Sequence, residues 1–224
     1  MPPDRRSAAV VTVSDKPGTA RAARRRLSAE ERRRQIVAAT VSVLDRCGYQ
    51  STSMAAIASE AGVAKGLLWH YFTDGDDLME HTARVTLAAL RETVASDIDL
   101  SAPVPQVIRA AIRRAAALRQ SHRAETRAVR EIVLNLRYPD GTLRLGLNAL
   151  YEETYARQAA LFQRGQDEGS LRRGVDTRYL AVSYQASVDA MLAFLDSHPE
   201  TDADAYTATL ADILLGGIAA DPSR

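Results

Sequence analysis

Cysteine is nearly absent from this 224-residue chain, where Cys47 stands alone. One thiol closes no intrachain disulfide, so nothing in the composition points to an oxidising compartment. Cys47 ends an apolar stripe and reads as core filler, with a redox role as the alternative. No segment approaches the roughly 20 apolar residues of a membrane span, and the arginines near the N-terminus precede no apolar run, so no signal peptide is expected there. A cytoplasmic protein with no membrane partner is expected. The four histidines, His70, His81, His122 and His198, show no metal-ligand spacing. No phosphate loop, Gly-x-Ser-x-Gly or Cys-x-x-Cys occurs. An enzyme is therefore not expected, nor a cofactor, nor a catalytic or metal site. No stretch alternates apolar and polar residues with period two for long enough to make a strand, and no repeat appears at solenoid periods.

What is present favours helix. The chain is 46% hydrophobic and 25% charged, ordinary for a globular protein, and rich in Ala, Leu, Arg and Glu. The formal net charge of +1 is unevenly spread. Residues 1–27 hold seven basic groups against Asp4 and Asp15. They lack periodicity and predict a flexible basic arm, either reaching for a polyanion or merely solvated.

Order is expected from Ser28. Ser28-Ala29-Glu30-Glu31 has capping-box spacing, Ile36, Thr40, Val43, Leu44 and Cys47 mark one face of a helix, and Gly48 stops it. A second, short helix spans about 53–60 behind Thr52 or Ser53. Ala61-Gly62-Val63 turns the chain, and a third covers about 64–71. Asp74 is a candidate N-cap for the fourth, which carries Leu78, Met79, Thr82, Val85 and Leu90. Five further helices follow. The spacing predicts them after Pro103, over about 124–137, over about 142–167, from Asp176 to His198, and around Tyr206 to Gly217. The fold class is thus all-α. Three domains are predicted: an arm (1–27), a three-helix head (28–74) and a larger helical body (75–224). The last two helices carry broad apolar stripes bordered by small residues, among them Ala181, Ala186, Ala208 and Gly216. These stripes either mate with a twofold copy or complete the monomer core.

Two short helices joined by a glycine-containing turn form the helix-turn-helix pattern. Ile57, Ala58, Val63 and Leu68 are placed to lock the pair onto the first helix. That leaves Lys65, Gly66, Leu67, Trp69 and His70 on the outer face, fit to enter a major groove. Gly48 to Phe72 reads Gly-Tyr-Gln-Ser-Thr-Ser-Met-Ala-Ala-Ile-Ala-Ser-Glu-Ala-Gly-Val-Ala-Lys-Gly-Leu-Leu-Trp-His-Tyr-Phe. This run resembles the TetR family of bacterial regulators, a likeness that extends from Arg34 to Leu78 and beyond it is only architectural.

The resemblance implies roles. Thr52 and Ser53 would hold a phosphate at the start of the second helix. Lys65 would reach a base edge or phosphate, and Gly66 would let the backbone approach DNA. Leu67 would touch a thymine methyl, Trp69 would stack on the sugar-phosphate wall, and His70 and Tyr71 would contact phosphates. Tyr71 reads equally well as core, and Thr52 as a cap. The lysine that often follows Phe72 in the family is replaced by Thr73-Asp74-Gly75-Asp76-Asp77. Arg24, Arg25 and Arg26 are the candidates to compensate for it. The implied partners are a palindromic double-stranded DNA operator, a second copy of the chain in a homodimer, and a small-molecule effector held near Asn135, Tyr151 and Tyr155. A repressor released by that molecule is expected. The alternatives are an activator and a DNA-binding regulator controlled by a protein partner.

Overall fold

The structure is a computed structural model that describes residues 27–142, 144 and 147–219. Nine helices and no strand occur among the described residues. They are α1 (Ala29–Cys47), α2 (Met54–Glu60), α3 (Lys65–Leu68), α4 (Gly75–Ala95), α5 (Val104–Ser121), α6 (Arg123–Asn135), α7 (Leu147–Asp167), α8 (Thr177–Ser197) and α9 (Ala203–Ile218).

Helix starts are set by local chemistry. At α1 the Glu31 amide donates to Ser28 Oγ at 3.1 Å, and Glu31 returns its carboxylate to the Ser28 amide at 2.7 Å. Ser53, Asp74, Asp176 and Asp202 each accept from first-turn amides of the helices they precede, which satisfies donors no helix can satisfy internally. Asp74 works with Asp77, whose carboxylate takes the Thr73 amide at 2.8 Å.

Two elements depart from expectation. The third helix is one turn long. After Leu68 the chain tightens into turns, with the His70 amide donating to the Leu67 carbonyl and the Tyr71 amide to that of Leu68. The long helix expected from 142 begins at Leu147. Asp140 Oδ1 binds both the amide and the hydroxyl of Thr142, holding that stretch as a turn. Cys47 is exposed rather than core, because the last turn of α1 carries it past the packed face, and its thiol donates to the Val43 carbonyl at 3.1 Å. Val85 is 38% exposed, outside the buried face of α4.

Packing follows the apolar stripes. Ile36, Val43 and Leu44 of α1 meet Ile57 and Ala58 of α2 and Leu68 of α3, and Leu68 and Ile57 are fully buried. α4 touches α1, α5 and α6, while α6 lies on both α1 and α4, so head and body share an interface. In the body α7 packs along α8 and α5 meets both α8 and α9. Tyr151–Asp189 and Gln158–Gln185 pair across α7 and α8, and Arg178 in the first turn of α8 binds Glu152 near the start of α7. The end of α7 is a Schellman turn: the Gly169 amide reaches the Gln166 carbonyl and the Ser170 amide that of Gly165. A Cβ on Gly165 would stand 2.7 Å from the Leu171 side chain and 3.0 Å from Val104, so only glycine allows that crossing.

Candidate nucleic-acid interface and ligand cavity

Buried anchors hold α3 and the turns that follow it. Gly62, at φ +63°, lets α2 end in a Schellman turn, in which the Val63 amide reaches the Ala58 carbonyl and the Gly62 amide that of Ser59. Gln35 Nε2 donates to the Ala61 carbonyl at 2.7 Å, and Glu60 takes Ser42 Oγ at 2.7 Å and Arg46 at 3.1 Å, fastening α2 to α1. Sequence spacing alone did not reveal these contacts, since each joins residues 14 or more apart.

Held this way, Lys65, Gly66, Trp69 and His70 are exposed, and Leu67 is half-buried. Trp69 leaves 44% of its surface to solvent, an unusual exposure for an indole. A Cβ at Gly66 would meet nothing within 4 Å, so nothing inside the chain demands glycine there. Tyr71 is half-buried against the core, with the Arg33 guanidinium 6.0 Å from its ring centre. The two hydroxyls before α2 differ. Thr52 Oγ1 donates to the Gly48 carbonyl at 2.7 Å, which commits its proton. Ser53 Oγ accepts from the Ala56 amide at 3.1 Å, which leaves its proton free to donate outward. The candidate arm residues Arg24, Arg25 and Arg26 lie outside the described residues.

The body encloses a cavity of about 750 Å³ bounded by α4, α5, α6, α7 and α8, within the size range of small-molecule sites. Its walls are chiefly Leu, Val and Ala, including Leu90, Val107, Leu118, Val133, Leu161 and Val188. Of the three residues the sequence offered for an effector, Tyr151 lines it, and Asn135 and Tyr155 do not. Asn135 sits on the face of α6 that meets the head, its Nδ2 donating to the Glu131 carbonyl at 2.8 Å and its Oδ1 facing Gln50. Tyr155, although one turn from Tyr151, is 3% exposed, stacked on Tyr151 and covered by Arg178.

Inside the cavity a polar string crosses from α7 to α8. Gln158 Nε2 donates to Gln185 Oε1 at 2.7 Å, and Gln185 Nε2 donates to Asp189 Oδ1 at 2.9 Å. The Tyr151 hydroxyl stands 3.4 Å from the same oxygen. Burial pushes the Asp189 carboxyl up to about 6, against the pull of Gln185 and Tyr151. Burial, then the neighbouring Asp189, pushes the Tyr151 phenol above its ordinary range. Gln185 and Asp189 are one turn apart on the apolar stripe of α8, and that polar pair on a buried face was the sequence signal for this site.

One helix touches both regions. Val129, Arg130 and Val133 of α6 line the cavity. Its other face meets the head, where Arg127 approaches Asp45 at 3.6 Å and Glu131 accepts the Tyr49 amide at 3.2 Å.

Residues 36–82 match the family model described as bacterial regulatory proteins, tetR family. The HTH-type transcriptional regulator BetI of Vibrio atlanticus (strain LGP32) is 42% identical over 67 residues, 30% of this chain and 34% of that protein. BetI of Pseudomonas aeruginosa (strain LESB58) is 43% identical over 63 residues, 28% of this chain and 32% of its own length. The chain thus matches about a third of the length of these curated relatives. Among solved structures, the transcriptional regulator FadR from Bacillus subtilis, in complex with stearoyl-CoA, superposes with a TM-score of 0.70 at 22% identity, over 83% of this chain and 98% of that one. TylP, a tetR regulator from Streptomyces fradiae, gives 0.69 at 22% identity, over 88% and 90%. At such identities the likeness concerns the fold.

Proposed function

We propose that residues 36–82, which match the tetR family model, form a DNA-binding domain, and that the chain is a dimeric transcriptional repressor that leaves its operator when a small molecule fills the body cavity. The observation that carries the DNA half is the exposed row Lys65, Gly66, Trp69 and His70 on a rigidly anchored short helix. Lys65 supplies charge, Gly66 clearance, and Trp69 an aromatic face for the sugar-phosphate wall. Leu67, His70, Tyr71 and Ser53 complete the interface, with Thr52 holding the turn before α2. The proposed division is the arm 1–27, the head 28–74 and the body 75–224, in the cytoplasm.

Pairing would use α8 and α9. Ile213 is 68% and Tyr179 72% exposed in the single chain, and Ala186, Ala190, Gly216 and Gly217 lie open beside them. A large apolar area flanked by small residues suits a four-helix interface with a second copy. The cavity favours control by a small molecule over control by a protein partner. A filled cavity would displace α6, whose opposite face grips α1, and so alter the separation of the two heads. Successive major grooves accept only a spacing of about 34–36 Å.

The test is selection of the purified chain against random duplexes, followed by salt titration of the selected site. A palindromic site retained with a steep salt dependence is the expected outcome. Retention of no duplex would overturn the reading.

A further inference from the structure

The cavity holds one carboxylate that no cation pairs with among the described residues. Arg91 and Arg157 both approach Glu153, at 3.5 and 2.7 Å, and Arg157 also binds Glu92 at 3.0 Å. Arg130 pairs with Asp196 at 3.1 Å and Arg164 with Glu168 at 3.1 Å. Arg119 donates to the Leu195 carbonyl in the last turn of α8, where the helix dipole favours a cation. Asp189 has no such partner. Its neighbours are the neutral donors Gln185 and Tyr151 and the apolar wall. Beside it, Gln158 Oε1 is buried and accepts no hydrogen bond, and a buried acceptor left unmade costs more than a typical hydrogen bond returns. This end of the cavity therefore presents acceptors in excess of donors, next to the Tyr151 ring.

We infer that the cavity takes a lipophilic cation, an apolar molecule bearing a protonated amine, with its nitrogen seated between Asp189 and Gln158 Oε1 and its body along the α5, α6 and α7 walls. The inference rests on the small-molecule reading above and specifies its chemistry. An ammonium supplies the donors that Gln158 and Asp189 lack, neutralises the carboxylate, and gains from the tyrosine face. A neutral alcohol of the same length offers one donor and no charge. A fatty carboxylate meets Asp189 as a like charge.

Calorimetric titration of the full chain at about pH 7.5 with undecylamine, undecanol and undecanoate tests it. The amine should bind at least about tenfold more tightly than the alcohol, as expected for a charge-assisted hydrogen bond. Asp189→Asn should reduce the amine to the level of the alcohol without changing alcohol binding. Gln158→Glu should strengthen the amine and leave the alcohol unchanged, a gain that misfolding cannot mimic. The idea is overturned if undecanoate binds best, if the amine advantage survives Asp189→Asn, or if none of the three binds. Retention of the selected duplex is measured on the same protein preparations before any amine, alcohol or carboxylate is added. Intact DNA binding beside any of those failures sinks this inference alone, whereas loss of DNA binding sinks the regulator reading.

Discussion

The head and the body of this chain are both helical, yet they hold information differently. The head is short, closed over a small apolar core, and turns its exposed residues outward. The body is longer, keeps about 750 Å³ of its interior open, and turns polar residues inward. A surface that reads another molecule needs rigidity behind it, and every anchor of the head is buried or hydrogen-bonded. The body leaves some interior contacts unmade, as the buried, unpartnered Gln158 Oε1 shows.

The sharpest way to break the contrast is at Leu68, fully buried beneath the reading turn. Leu68→Ala should destabilise the protein by about 2–5 kcal/mol in denaturant titration, because a closed core relaxes little around a lost side chain. A loss below about 1 kcal/mol would show the head to be looser than described.

The body should instead gain from losing its unpaired carboxylate. The Asp189 carboxyl, at about 6 in the folded chain against an ordinary 3.8, binds its proton more tightly folded than unfolded. Its unfavourable contribution therefore grows as pH rises from about 4 to about 6 and is full above that window. Asp189→Asn should stabilise the ligand-free protein by on the order of 1–2 kcal/mol at about pH 7.5 and hardly change it at about pH 4. Thermal unfolding across pH shows whether that slope disappears.

The smallest effect belongs to the exposed face. Lys65→Ala should leave stability within about 0.5 kcal/mol of wild type. It should lower affinity for the selected duplex by about 1 kcal/mol and reduce the salt slope by about one if Lys65 meets a phosphate. An unchanged slope with relaxed sequence preference would move it to a base edge.

Legibility in the sequence divides along the same line. Ser28 and Asp74 were readable as caps, and Thr52 or Ser53 as a third, because capping is local, and Gly62 as a turn for the same reason. Ile57, Ala58 and Leu68 were readable as anchors from spacing alone. The third helix was expected to reach Tyr71 because Trp69 and Tyr71 continue an apolar pattern. That pattern cannot separate one helical turn followed by tight turns from a longer helix. In the body, composition indicated helices but not which face meets which. Asn135 and Tyr155 carry the right chemistry for a ligand, yet one helix rotation puts Asn135 against the head, and stacking seals Tyr155 away. Gln158 and Asp189 are linked through Gln185 only because α7 packs on α8, a contact between residues 27 positions apart.

The reciprocal carboxylates at the start of α4 have a consequence for how a duplex can lie. A fresh helix start ordinarily welcomes a phosphate. Here Asp74 takes the Asp77 amide, Asp77 takes the Thr73 amide, and Asp76 is bound to Arg144 at 2.6 Å. That seat is filled by the chain's own carboxylates, so a phosphate placed there would meet like charge.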